Sequence, residues 1–391
     1  MQNSPLTPSS LLPYMTEIRR HLHKNPGAGF DNLDTIKYIK SKLDEMLVAS
    51  QFVGKCGLSA LIGDTSKPCF LLRADTDGLE TTEKTGLPFA SNHGRMHLCG
   101  HDLHTAQLLG AAKILKHNEN KLRFCVKLMF QSAEENLCGA KDMIDSGILE
   151  NPKPVCGMMI HVMTGTPLET GTVIVSDIPE AAPAADFFTV TFTGKGCHGS
   201  SPSEGRNPIP AACSTVSALT ALTSSELAMS DFAVVSIGSF RAGDAPNVIP
   251  EKAVISGSMR CFGKDIREYL KSRVCEIPQN IAKAYGITAE TKFTGGCPSL
   301  LNSPEICDSI YKKLCSVLGE NTVKRASEFG AFKTSGSEDF AYISQEIPTV
   351  MLALCAGKSD DGYIYPLHNP KTDFDEQAMI NGCTAFISAV I

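Results

Sequence analysis

Strand-like and helix-like apolar patterns alternate along the first half of the chain, and this alternation restricts the possible folds more than any other feature. Apolar runs typical of buried strands begin at Gly57, Cys69, Leu122 and Val155, with helical spacing between several of them. A similar pattern returns after Gly295. Because strands that alternate with helices usually pair in parallel, the sequence predicts an α/β domain with a mostly parallel, helix-covered sheet.

Between residues 186 and 293 the pattern changes to that of a second domain. The order is strand, helix, strand, strand, helix, strand, which is the ferredoxin-like arrangement of a small α+β domain. A chain of 391 residues is long enough for two hydrophobic cores. We therefore predict a larger domain made of residues 1–180 and 295–391, with the ferredoxin-like domain inserted at residues 181–294.

Three histidines, one cysteine and one aspartate lie within the segment from Met96 to Thr105, just before an apolar stretch with helical spacing. Cys99 and His101 flank Gly100, so their side chains can converge on one point in an extended or loop backbone. Thiolate and imidazole are both ligands for zinc-like divalent metals. A buried structural cysteine beside capping histidines would also explain the segment, so on its own it leaves the metal site open.

Further metal-capable residues fall at predicted strand ends or in loops. The whole set is Cys99, His101, Glu135, His161 and His368. Five ligands exceed the four of one tetrahedral ion and suit two ions with a shared ligand, as in two-metal hydrolases. Glu134 would then be free to act as a general base that takes a proton from water. Alternatively, the Glu134–Glu135 pair is only the acidic start of a helix.

Seven motifs, spread over nearly the whole chain, strengthen the metal interpretation. They are Arg73-Ala-Asp-Thr-Asp, His97-Leu-Cys-Gly-His-Asp-Leu-His-Thr, Phe130-Gln-Ser-Ala-Glu-Glu, Gly194-Lys-Gly-Cys-His-Gly, Asn247-Val-Ile-Pro, Gly336-Ser-Glu-Asp-Phe and Leu367-His-Asn-Pro. In this order they resemble the dinuclear-metal amidohydrolases. That family includes hippurate hydrolases, bacterial N-acyl amino acid aminoacylases and plant hydrolases of indole-acetic acid conjugates.

The resemblance implies a catalytic metallohydrolase domain with two divalent ions per subunit, manganese or zinc, with cobalt and nickel also possible. Cys99 would bridge the ions, and the remaining ligands would be His101, Glu135, His161 and His368. Asp75 would orient a ligand histidine. Glu134 would be the general base.

The resemblance also implies roles for the inserted domain as a lid and dimerisation domain. His198 would polarise the scissile carbonyl and reach the active site of the other subunit of a homodimer. Arg260 would hold the substrate carboxylate, for which a guanidinium is well suited. Asn247 would donate a hydrogen bond to substrate, although a simple turn before Pro250 explains it nearly as well.

The implied reaction is metal-dependent hydrolysis of an N-acyl amino acid to a carboxylic acid and a free amino acid. Two other functions stay open: a dipeptidase or N-acetyl-diaminopimelate-type deacetylase with the same dinuclear site, and a non-catalytic protein that binds a small acid. Asp77-Gly78-Leu79-Glu80 replaces the Asp-Ala-Leu-Pro usual in relatives, and Cys197 stands where they commonly have glycine. Such departures could shift the acyl preference.

Composition argues against several other partners. The net charge is −6 and no basic cluster with interleaved aromatics occurs, so we expect no nucleic-acid binding. No apolar run reaches the roughly 18 residues of a membrane span. Met1–Pro13 lacks the pattern of a signal peptide, so the 15 cysteines predict reduced thiols and a cytoplasmic enzyme.

The histidines outside the proposed ligand set fall into two groups. We expect His97 and His104 to support the metal site without binding metal themselves. We expect His21, His23 and His117 to be surface or helix residues, because isolated histidines usually are.

Overall fold

A computed structural model describes residues 6–329 and 336–391, which form two compact units. Within these ranges, unit 1 comprises residues 6–181, 301–329 and 339–391, and unit 2 comprises residues 182–300 and 336–338. Residues 1–5, part of the N-terminal stretch analysed above, lie outside the described residues. Within the described ranges, none of the helices has the length and apolarity that a bilayer span requires.

The strands of the described residues are numbered in chain order. They are β1 (Ser50–Val53), β2 (Gly57–Ile62), β3 (Cys69–Asp75), β4 (Cys125–Gln131), β5 (Pro154–Met163), β6 (Val173–Val175), β7 (Glu180–Ala182), β8 (Ala184–Thr193), β9 (Cys197–His198), β10 (Ala233–Ala242), β11 (Val248–Ile249), β12 (Lys252–Cys261), β13 (Thr288–Cys297), β14 (Leu300–Leu301), β15 (Val323–Arg325) and β16 (Thr349–Cys355).

The α-helices are numbered in the same way. They are α1 (Leu12–Lys24), α2 (Leu33–Glu45), α3 (His101–His117), α4 (Gly139–Asp145), α5 (Ile209–Glu226), α6 (Lys264–Ala284), α7 (Pro304–Leu318), α8 (Ala341–Glu346) and α9 (Ala378–Val390). Sequence periodicity predicted most of the longer elements. It missed the short helix α8 and the short strands β1, β6, β7, β9, β11, β14 and β15, which contain too few residues to show a clear period.

Unit 1 is built on an eight-stranded sheet with the order β1-β2-β4-β3-β5-β16-β6-β15. The central strands β4, β3, β5 and β16 are parallel, which confirms the predicted α/β class. Strands β1 and β2 on one side, and β6 on the other, pair in antiparallel fashion. The prediction of a mostly parallel sheet therefore describes its centre, where the strands are long and apolar enough to be recognised.

Helices cover the central strands, whose residues are buried on both faces. Every residue of β3 and β4 is buried, as expected for parallel strands between helical layers. Alternate residues such as Leu72, Leu128 and Met158 share one apolar core with α1, α2, α3, α7 and α9. This packing holds the carboxyl ends of the central strands at one edge of the sheet.

Unit 2 contains a four-stranded antiparallel sheet with the order β10-β12-β8-β13. Its main elements follow the order β8, α5, β10, β12, α6, β13, so the predicted ferredoxin-like arrangement is confirmed. Phe188, Val190 and Phe192 of β8 point to one face and pack in a core with residues of α5 and α6. Ser256, Ser258 and Arg260 of β12 alternate with its buried residues and are half-buried.

Candidate metal centre

The carboxyl ends of three parallel strands bring polar residues together in unit 1. Asp75 ends β3 and is paired in register with Gln131, which ends β4. His161 lies near the end of β5, on the other side of β3. Because parallel strands present their carboxyl ends at the same edge, residues far apart in sequence meet there.

The Cys99–His101 segment passes close to β5 before α3 begins. Gly100 has a φ of +82°, and a Cβ atom there would lie 2.3 Å from a methyl carbon of Val162. Only glycine combines this left-handed conformation with so close an approach. As a result, the Sγ atom of Cys99 lies 3.4 Å from Nε2 of His161.

Glu134 and Glu135 lie in a tight turn after β4. Ala133, directly before them, has a φ of +59°, a conformation that non-glycine residues rarely adopt and that is often found at functional sites. The two carboxylate oxygens of Asp77 accept hydrogen bonds from the N–H groups of Glu134 (3.1 Å) and Glu135 (3.3 Å). Asp77 thus orients the acid pair, a role that the sequence analysis did not assign to it.

His368 reaches the same group of residues from the C-terminal part of unit 1. Its φ is +66°, and its N–H donates to the carbonyl oxygen of Leu98 at 3.2 Å. Its Nε2 atom lies 3.6 Å from Oε1 of Glu135, and 54% of its side chain is exposed. His368 is therefore the most accessible of the five predicted ligands, on the solvent side of the cluster.

The five predicted ligands form two groups of three that share one sulfur atom. In each group the ligand atoms lie within 4.8 Å of one another: Cys99, His101 and His161 in the first, and Cys99, Glu135 and His368 in the second. Glu134 belongs to neither group, but it forms a further group of the same size with His101 and Glu135. The geometry therefore allows Cys99 to serve two neighbouring cations while Glu134 stays close by.

The surroundings of the His101 ring indicate whether this cluster is suited to bind cations. The ring is fully buried, and within residues 6–329 and 336–391 neither ring nitrogen makes a hydrogen bond. Carboxylate oxygens nevertheless approach its nitrogens at 3.5, 3.7, 3.9 and 4.0 Å, from Asp75, Asp77, Glu134 and Glu135. A buried imidazole surrounded by negative charge fits a divalent cation, which would bind the nitrogen and compensate the carboxylates.

The electrostatics of the cluster agree with this interpretation. Burial lowers the pKa of His101, but the charge of Asp75 together with the contacts to Asp77 and Cys99 outweighs this effect and raises that pKa well above its usual value. Burial and the nearby Glu135 raise the pKa of the Cys99 thiol. Burial and His104 lower the pKa of His161 to about 3, so this ring is neutral at pH 7. The cluster attracts positive charge, which a cation can supply.

Asp75 and His104 form a buried support for these residues. Asp75 Oδ1 accepts a hydrogen bond of 2.5 Å from Nδ1 of His104, whose Nε2 in turn accepts one from the N–H of Val162 at 2.8 Å. Both ring nitrogens of His104 are thus occupied, which favours a supporting position over metal binding. The charge of Arg73, together with His101 and His104, holds the pKa of Asp75 well below its usual range, although burial raises it.

Of the two alternatives expected for His23, a surface or a helix residue, the structure supports the helix and excludes the surface. His23 lies on α1, but its ring is fully buried between Nδ1–Asp102 and Nε2–Glu83 contacts of 2.9 and 3.1 Å. Arg19, four residues earlier, also contacts Asp102, at 3.0 Å. The helical spacing of Arg19 and His23 on an otherwise apolar face was the sequence signal for this buried cluster.

Unit 2 carries the three other predicted site residues. His198 on β9 is exposed and is paired in register with Val248 of β11, directly after Asn247. The N–H of Ser200 donates to Nδ1 of His198 at 3.2 Å, so the proton of the neutral ring lies on Nε2, which can donate to a ligand. Arg260 on β12 donates to the hydroxyl oxygen of Ser337 at 2.8 Å.

Gly78, where relatives commonly have alanine, occupies a position without room for a side chain. A Cβ atom would lie 2.8 Å from the carbonyl oxygen of Met96 and 3.2 Å from that of Gly27. We expect Gly78→Ala to lower the free energy of unfolding by about 1 to 3 kcal/mol, as overpacking does. Urea denaturation would measure this, with Gly238→Ala as control because a Cβ there meets nothing within 4 Å. An unchanged unfolding free energy would mean that the backbone relaxes around the methyl group.

Comparison with known proteins identifies the family. The model of peptidase family M20/M25/M40 matches residues 71–391. The chain belongs to this family. The predicted resemblance to dinuclear-metal amidohydrolases is thereby confirmed, and the chain is an amidohydrolase of the M20 type.

Several M20 relatives match almost the full chain. N-acetyl-L-cysteine deacetylase of Bacillus subtilis is 35% identical over 386 residues, which cover 97% of this chain and 88% of that protein. IAA-amino acid hydrolase ILR1-like 2 of Arabidopsis thaliana is 32% identical, with 97% and 84% covered. The solved structure of a dinuclear metal-binding M20 peptidase from Bacillus subtilis is 29% identical, has a TM-score of 0.76 and covers 97% of this chain and 98% of its own.

Proposed function

We propose that this M20 enzyme hydrolyses the amide bond of N-acyl amino acids and releases a carboxylic acid and a free amino acid. One observation carries the proposal: the Cys99 sulfur belongs to two groups of potential ligands, and the carboxylate of Glu134 lies beside them. The relatives named for N-acetyl-L-cysteine and for IAA-amino acids support this substrate class, since both names describe acylated amino acids.

The proposed metal ligands are the five residues predicted from the sequence. Cys99 would be shared, with His101, His161, Glu135 and His368 completing two positions for divalent cations. Manganese and zinc both suit such mixed sulfur, nitrogen and oxygen donors, and cobalt or nickel would also fit. Cations bound there would supply Lewis acidity that makes water easier to deprotonate and polarises an amide carbonyl.

Glu134 is the proposed general base. Its carboxylate is nearly buried, with 5% of the residue exposed, and Asp77 holds its backbone N–H. Glu134 would accept the proton of the attacking water and then deliver it to the nitrogen of the leaving amine. A single carboxylate can do both because the proton it gains in the first step is the one required in the second.

Unit 2 would contribute substrate binding and carbonyl polarisation. Arg260 presents a guanidinium suited to a carboxylate, and Asn247 presents an amide for a further hydrogen bond. His198 carries its ring proton on Nε2, and this N–H would donate a hydrogen bond to the oxygen that becomes negative during attack. We further propose a homodimer through unit 2, in which His198 serves the site of the partner subunit.

Removal and return of metal test the proposed function. We expect chelation with EDTA to abolish hydrolysis of N-acetyl and N-benzoyl amino acids, and titration with Mn²⁺ or Zn²⁺ to restore it at two equivalents per chain. Dipeptides and N-acetyl-diaminopimelate in the same panel separate the alternative substrates. Full activity after exhaustive chelation, or recovery at one equivalent, would contradict the dinuclear site. Metal binding without hydrolysis of any amide would favour a binding protein.

A further inference from the structure

A buried carboxylate from the Gly336-Ser-Glu-Asp-Phe motif lies beneath the acid pair of unit 1. Asp339 is fully buried. Its Oδ1 accepts hydrogen bonds from Nε2 of Gln131 at 2.6 Å and from Nη2 of Arg73 at 3.2 Å, and its Oδ2 accepts one from the N–H of Ala140 at 2.9 Å. One carboxylate therefore joins three segments of unit 1.

Two of these hydrogen bonds are made at the two ends of the turn that contains Glu134 and Glu135. Gln131 is the last residue of β4, and Ala140 lies in the first turn of α4. Both ends of the turn are thus tied to the same buried group, which comes from about 200 residues further along the chain. Asp77 holds the middle of the turn through the N–H groups of the acid pair.

Arg73 extends this network to the other side of the candidate centre. Its guanidinium donates to Oδ2 of Asp75 at 2.8 Å and to Oε1 of Gln131 at 3.0 Å, in addition to Asp339. The position of the Asp75 carboxylate, which contacts His101 and His104, is therefore coupled to that of Asp339. A planar guanidinium with several donors is well suited to hold such groups in fixed relative positions.

The charge of Asp339 also acts at short range on the acid pair. One of its carboxylate oxygens lies within 4.8 Å of one from Glu134. Two buried carboxylates at this distance repel each other unless a cation or donors compensate them, and Arg73, which pairs with Asp339, offsets part of this charge. Asp339 therefore acts on the surroundings of Glu134 in two ways, through hydrogen bonds to both ends of the turn and through its charge.

We propose that Asp339 is a positioning residue for Glu134, through its hydrogen bonds to Gln131 and Ala140 and its ion pair with Arg73. This inference rests on the proposed function, because it requires Glu134 to act as the general base. Asp339 contacts neither substrate nor metal in this scheme. It keeps the turn in the geometry in which the Glu134 carboxylate can reach the attacking water.

The first test is Asp339→Asn, which keeps the shape of the side chain but removes its charge. We expect kcat to fall roughly 10- to 100-fold, as a misplaced catalytic group would cause, while KM changes little and two metal ions stay bound. Asp186→Asn is the matched control, since Asp186 is also buried and accepts two hydrogen bonds from Arg267 in unit 2. The control should lower stability without lowering kcat.

The second test determines whether Asp339 affects kcat by positioning Glu134. If it does, Asp339→Asn should reduce kcat strongly in the wild type but hardly at all in a Glu134→Gln background, because the group it positions is already missing. Equal fold-reductions in both backgrounds would overturn the proposal, as would an unchanged kcat. Loss of bound metal would also overturn it, because Asp339 would then act through the ligands.

A milder variant covers the case in which Asp339→Asn does not fold. Gln131→Met removes the hydrogen bond to Asp339 and the one accepted from Arg73 without changing charge, and we expect a smaller fall in kcat that also vanishes in the Glu134→Gln background. An unchanged kcat in this variant would overturn the proposal. Different results would contradict the proposed function itself. It is wrong if the wild type hydrolyses no N-acyl amino acid, or if Glu134→Gln alone keeps full activity.

Discussion

Replacing Glu134 with glutamine is expected to lower kcat by roughly 10²- to 10⁴-fold, the usual contribution of a general acid–base group. Glutamine has nearly the same size and keeps the backbone hydrogen bond to Asp77, so the turn should be preserved. It cannot accept a proton from water or return one to the leaving amine. Steady-state kinetics with an N-acetyl amino acid would measure the loss.

Metal analysis of the same variant separates chemistry from binding. Glu134→Gln should keep two ions per chain, because Glu134 is outside both ligand groups that contain Cys99. Glu135→Gln is the matched control: the neighbouring residue undergoes the same change, but it is a proposed ligand, so we expect metal to be lost. If Glu134→Gln instead lost metal, or kept wild-type kcat, its role as general base would be wrong.

Replacing His198 with alanine is the second change with a large expected effect. Removal of one donor to a developing oxyanion usually costs about 10²- to 10³-fold in kcat, and we expect a loss in this range. Metal content should stay at the wild-type level, because His198 belongs to unit 2 and to none of the ligand groups. His198→Gln offers a neutral donor at a similar position and should recover part of the activity.

Mixed dimers test whether His198 acts in the partner's active site. A dimer of one Glu134→Gln chain and one His198→Ala chain would contain one complete site only if His198 crosses the interface. Random reassociation of equal amounts should then restore about a quarter of wild-type activity, from half the dimers with one working site each. Verified heterodimers without recovered activity would show that each His198 serves its own chain.

The sequence by itself determined the fold class and most of the candidate site. Long apolar strands such as β3, β4 and β5 have enough residues for their period to be recognised, and the ferredoxin-like order of unit 2 follows from similarly long elements. The metal-capable residues were found because cysteine, histidine and glutamate at strand ends are chemically distinctive. Both the period of apolar residues and the types of residue at strand ends can be recognised within short stretches of sequence.

The tertiary structure alone decided how these residues are supported. It brought Asp339 into hydrogen-bond contact with Gln131 and Ala140. It placed Asp77 where its carboxylate accepts hydrogen bonds from the backbone N–H groups of the acid pair. It also buried His23 between Asp102 and Glu83. It also made the outer strands of the unit 1 sheet antiparallel. Each of these features depends on contacts between residues far apart in the chain. Such contacts produce no recognisable period or spacing in the sequence, because the partners become neighbours only when the chain folds.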